Sequence, residues 1–159
     1  MAALAAVGTF NGTRAHAQPS AACGGASALR GSPVLQFGPL RAAGFASNRC
    51  AEVLLGCGPK QGGYQAPLSL ELSKKLSAPV VLRSDATGVK LGLVGNTTPA
   101  PKVPRCLPSS AAHPTAKLRV RDLYFVLYVF APKSVTFHLS AWSGSRRIGD
   151  VAIGAVRAS

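Results

Sequence analysis

Nine consecutive apolar residues, LYFVLYVFA at positions 123 to 131, constrain this chain more than any other feature. Crossing a bilayer as a helix takes about twenty such residues. Arg119, Arg121 and Asp122 close the run on one side, and Pro132 with Lys133 closes it on the other. It therefore cannot span a membrane as a helix. Its Tyr, Phe, Val and Leu content favours a strand instead. APKS then supplies a turn, and SVTFHLSAW resumes with a period of two. Val135, Phe137, Leu139 and Ala141 share one face of that segment, while Thr136, His138, Ser140 and Trp142 share the other. SGSRR makes a second turn and IGDVAIGAV a third, weaker strand. The pattern predicts a three-stranded antiparallel meander over 118–156.

Signals upstream are thinner. The 17 Gly and 12 Pro are scattered through the chain, and much of the 47% hydrophobic content is alanine, which buries little area. Leu68, Leu72 and Leu76 lie four residues apart, with Glu71 and Lys75 in the supportive i,i+4 order, between Pro67 and Pro79. This predicts one short amphipathic helix at 68–77, with the alternation of Leu68, Leu70 and Leu72 leaving a strand as its rival. PVVLRSDATGVKLGLVG reads as a hairpin, so 52–95 forms a weakly structured unit of helix and hairpin. Residues 96–117 hold five prolines and read as an exposed linker. The expected fold class is a mostly disordered or irregular N-terminal half followed by a small β-rich C-terminal unit.

Residues 1–51 contain no acid and no lysine, but they carry Arg14, Arg30, Arg41 and Arg49 among Ala, Ser and Gly. That is the composition of an organelle transit peptide, and equally of a disordered tail. The implied address is a mitochondrion or plastid if the leader is a transit peptide, and otherwise the cytoplasm or nucleus. A secretory signal fits less well, because the opening lacks a charged segment. The acceptor patterns at Asn11 and Asn96 accordingly read as unmodified loop residues. Cys23, Cys50, Cys57 and Cys106 show no CxxC spacing, which points to free thiols in a reducing compartment.

Catalysis needs positioned titratable groups, and the only acids are Glu52, Glu71, Asp85, Asp122 and Asp150. No nucleophile elbow, phosphate loop or zinc-protease motif occurs. His138 reads as a solvent-facing strand residue, so the expectation is a non-enzymatic protein without a cofactor. Cys50, Cys57, Cys106 and His113 together could supply a zinc ligand set. However, each pair is separated by six residues, whereas structural zinc sites present their paired ligands from tighter turns.

Eighteen Lys and Arg against five acids give a net charge of +13, which favours a polyanionic partner such as RNA or DNA. Lys117, Arg119 and Arg121 alternate along one predicted strand, and Arg146 with Arg147 sits in a turn close by in sequence. These five are the candidate phosphate-binding residues, with Tyr124, Tyr128 and Trp142 as candidate stacking surfaces. The bland counterpart is a cationic edge that keeps strands from aggregating. Association of the apolar hairpin with a membrane surface is a weaker reading. The functional alternative is an uncharacterised or regulatory interaction protein with little stable fold. An open reading frame never selected for a packed core would show the same pattern.

Overall fold

Seven residues of the apolar run, Tyr124–Phe130, form a strand buried on both faces from Phe125 onward. A computed structural model of the chain describes residues 35–43, 45–47, 50–72, 76–96, 103–120 and 124–157. Eleven strands run through these residues. They are β1 (Leu35–Phe37), β2 (Leu40–Ala43), β3 (Phe45–Ser47), β4 (Cys50–Gly58), β5 (Gly63–Leu72), β6 (Val80–Ser84), β7 (Lys90–Asn96), β8 (Thr115–Leu118), β9 (Tyr124–Phe130), β10 (Val135–Ser143) and β11 (Arg146–Arg157).

Eight of them form a nearly closed barrel. On one side β4, β5, β9 and β7 pair in that order, all antiparallel. On the other, β8, β6, β10 and β11 do the same. The halves meet twice. β11 runs parallel to the first part of β4. Across the opposite seam Leu91 and His113 exchange backbone hydrogen bonds of 2.7 and 2.8 Å in a single bridge. β1 and β2 extend the first half beyond β5, and β3 lies along the start of β4.

Alternation explains what fills the interior. Leu68, Leu70 and Leu72 of β5, Phe125, Leu127 and Val129 of β9, Phe137, Leu139 and Ala141 of β10, and Val151, Ile153 and Ala155 of β11 all point inward and share one core. Val126, Tyr128 and Phe130 point the other way, yet they too are buried. A strap at 103–112 lies over them, and Leu107 packs among them as a second, smaller cluster. Three devices hold the strap. Gln65, 1% exposed, donates from Nε2 to the Leu107 carbonyl at 2.9 Å and accepts from the Leu107 N–H at 2.8 Å. The Tyr128 hydroxyl donates to the Pro104 carbonyl, and burial pushes that phenol's pKa up, so it stays a donor. Cys57 and Cys106 form a disulfide with their Cα atoms 6.2 Å apart. Gly62 makes room for the strap: it has φ +98°, and a Cβ there would lie 2.4 Å from the Leu107 carbonyl oxygen.

This corrects the fold class expected from the sequence. Among the described residues strands already run through the N-terminal half from Leu35, and the part of that half before residue 35 lies outside the described residues. The expected helix at 68–77 is absent. β5 continues to Leu72, and the only helical pieces among the described residues are 3-10 turns at Pro59–Gln61 and Ser109–Ala111. A spacing of four residues puts leucines on one face of either a helix or a strand. Leu70, buried beside Leu68 and Leu72, decides for the strand.

The meander is corrected as well. β10 and β11 do form an antiparallel hairpin. β9, however, pairs with β5 and β7, and β8 pairs with β6. Likewise β6 and β7 flank a turn without pairing with each other. The cysteine reading changes too, since Cys57, Cys106 and Cys50 are all disulfide-bonded. Among the described residues, no helix is long and apolar enough to cross a membrane.

Candidate functional site

The outer face of the β8–β6–β10–β11 half is polar and cationic. Residues directly opposite one another on paired strands share a face. Lys117 stands opposite Val81, Val81 opposite Trp142, and Trp142 opposite Arg147. These four side chains therefore form one row across four strands, about 14 Å wide at three strand spacings. The neighbouring row runs Thr115, Arg83, Ser140 and Asp150. A β-bulge between Ala141 and Trp142 sets the first row. It adds Ile148 to β11 and so brings Arg147 rather than Ile148 opposite the indole.

Trp142 is the centre of this face. Its Nε1–H donates to Ser140 Oγ at 2.8 Å, which lays the ring along its own strand. The Arg83 guanidinium sits 5.0 Å from the ring centroid, a cation–π distance. Ser140 in turn donates to the Arg83 carbonyl at 3.3 Å. Arg147 pairs with Asp150 at 2.8 Å, both half-exposed, so the pair contributes little stability and opens at small cost. Asp85 reaches from the β6–β7 turn and accepts from the His138 N–H at 2.7 Å, with its other oxygen 3.3 Å from His138 Nδ1. Asp85, His138, Ser140, Arg147 and Asp150 line a shallow depression of about 310 Å³.

Of the five cations singled out in the sequence, the fold brings Lys117 and Arg147 into one row. Arg119 is exposed just beyond β8. Arg121 lies outside the described residues. Arg146 precedes Arg147, and both line another cavity, at the end of the barrel. Arg83 was not singled out. A single arginine in a predicted hairpin carries no signal until β6 is known to lie between β8 and β10. Of the stacking candidates, Tyr128 is buried and Tyr124 lies on β9 in the other half, which leaves Trp142. The zinc set is not available as thiolates, because its three sulfurs are oxidised. Among the described residues no group of three metal-ligating side chains gathers.

No protein-family model and no curated protein matches the chain. Among solved structures, the N-terminal domain of PorA aligns with a TM-score of 0.36 and 12% identity, over 69% of this chain and 87% of that one. Neither fold nor function is transferred across that distance.

Proposed function

We propose that this protein is a small binding module that holds single-stranded nucleic acid on the outer face of the β8–β6–β10–β11 half. The observation that carries this reading is the Arg83–Trp142 stack flanked in one row by Lys117 and Arg147. Binding of single strands without sequence preference combines cations that track the backbone with an aromatic surface that accepts any base. A row about 14 Å wide, three strand spacings, can meet a short stretch of one nucleic-acid strand. Asp150 acts as a built-in competitor, since phosphate must displace it from Arg147.

The test is fluorescence anisotropy with an oligothymidylate at several salt concentrations. Joint replacement of Arg83, Lys117 and Arg147 by Gln is expected to weaken binding and to flatten the logarithmic salt slope by about 2, at about 0.7 per cation for single strands. Trp142→Ala removes stacking, for a loss of about 1–3 kcal/mol with the slope retained. Asp150→Asn tightens binding. An unchanged slope in the triple variant, accompanied by new self-association, would mean that the row only guards a strand edge.

Disulfides persist in oxidising compartments, so the Cys57–Cys106 bond favours such an address over the cytosol or nucleus. An address confined to residues 1–34 leaves every described strand intact. Fused to a fluorescent reporter, that segment is expected to direct it to an organelle. Diffuse signal sinks the targeting reading.

A further inference from the structure

A second cavity, at the end of the barrel, borders the proposed nucleic-acid face through Arg147. It encloses about 500 Å³ between the turn that joins β1 and β2, the Leu76–Ala78 segment and the β10–β11 turn. Leu76, Val80, Ile148 and Pro39 give it apolar walls, and Ser77, Ser143, Arg146 and Arg147 give it polar ones. No acid lines it. Among the described residues, no carboxylate comes within ion-pair distance of Arg146. We propose that this barrel end binds a small amphipathic anion, a carboxylate or phosphate monoester on a short apolar body, with Arg146 as the anchor for its head group.

The size falls within the range of small-molecule sites, and the mouth of a β-barrel is a recurrent place for them. Arginine's planar fork donates two parallel hydrogen bonds to a carboxylate or phosphate, and the apolar walls take the rest of the molecule. Arg147 also lines the cavity, so the site borders the outer face, and alternation along β11 sets the two arginines apart. Arg147 stands opposite Trp142, and Arg146 stands opposite Ser143 with its side chain turned to the other side. One wall is already built. Gly38 has φ +60° and sits so close to β11 that a Cβ would lie 2.5 Å from the Ile148 carbonyl oxygen. The turn is therefore fixed against the strand with the cavity formed beneath it.

The experiment titrates the full chain with octanoate, octyl phosphate and uncharged octanol, followed by calorimetry. Saturable one-to-one binding of at least one of the two anions, at least tenfold tighter than octanol, is expected, and the two anions separate a carboxylate preference from a phosphate preference. Arg146→Gln should weaken the anion at least tenfold and leave octanol unchanged. Gly38→Ala, which displaces the wall, should weaken both. Absence of saturation at millimolar anion overturns the proposal, as does equal binding of octanol or an Arg146→Gln variant that binds like the parent. The same Arg146→Gln variant is expected to keep its oligonucleotide affinity within about twofold. Displacement of octanoate by oligothymidylate would instead make the barrel end part of the nucleic-acid surface and overturn its assignment as a separate site.

Discussion

Leu127→Ala and Tyr128→Ala are each expected to destabilise the protein by about 3–5 kcal/mol, although the two residues are neighbours on one strand. On a strand with one wet face, adjacent positions respond very differently, because only one of them is buried. β10 behaves that way: Phe137→Ala should cost about as much as Leu127→Ala, while replacement of exposed Thr136 should stay within about 0.5 kcal/mol. β9 is different because Leu127 fills the barrel and Tyr128 sits beneath the strap, both wholly buried. Tyr128→Ala also strands the Pro104 carbonyl that its hydroxyl satisfies. Denaturant unfolding of the four variants checks this. Near-wild-type stability for Tyr128→Ala would show that the strap does not seat on β9.

That double burial is what the apolar run encodes, and it explains why the sequence was legible in part. Unbroken apolar residues of strand-forming type announced β9, and strict alternation announced β10, because both are local properties of the chain. Pairing is not local. β9 joins β5 across more than fifty intervening residues, and nothing in either segment names the other. β5 was obscured by arithmetic, since leucines four apart fit a helix and a strand equally well. The candidate site was legible only as charge. Lys117 and Arg147 are thirty residues apart and meet through β6, so the row exists only once β6 is placed between β8 and β10. Arg146 and Arg147, adjacent in sequence, line one cavity at the barrel end, but only Arg147 stands opposite Trp142 in the row. The strap resisted reading because its hold on the barrel comes from Gln65, Tyr128 and Cys57, all distant in sequence.

The Cys57–Cys106 bond ties the strap covalently to β4. Its partners are 49 residues apart, so losing it should cost about 4 kcal/mol in the loop-closure account, enough to lower the melting temperature by roughly 10–20 °C. The double variant Cys57→Ser with Cys106→Ser isolates this bond from the one that involves Cys50. Loss of the bond loosens the strap at Cys106, between its anchors at Pro104 and Leu107, and Val126, Tyr128 and Phe130 then become open to solvent before the barrel itself melts. Cys57 supplies an internal control. Its φ of +59° lies in the left-handed region, which costs a side-chain-bearing residue about 1–2 kcal/mol and glycine almost nothing. Cys57→Gly with Cys106→Ser should therefore melt higher than the double serine variant, while still falling well below the parent. If both variants melt with the parent, Gln65 and Tyr128 hold the strap unaided. The bond would then have no bearing on stability, and the case for an oxidising address would lose its physical reason.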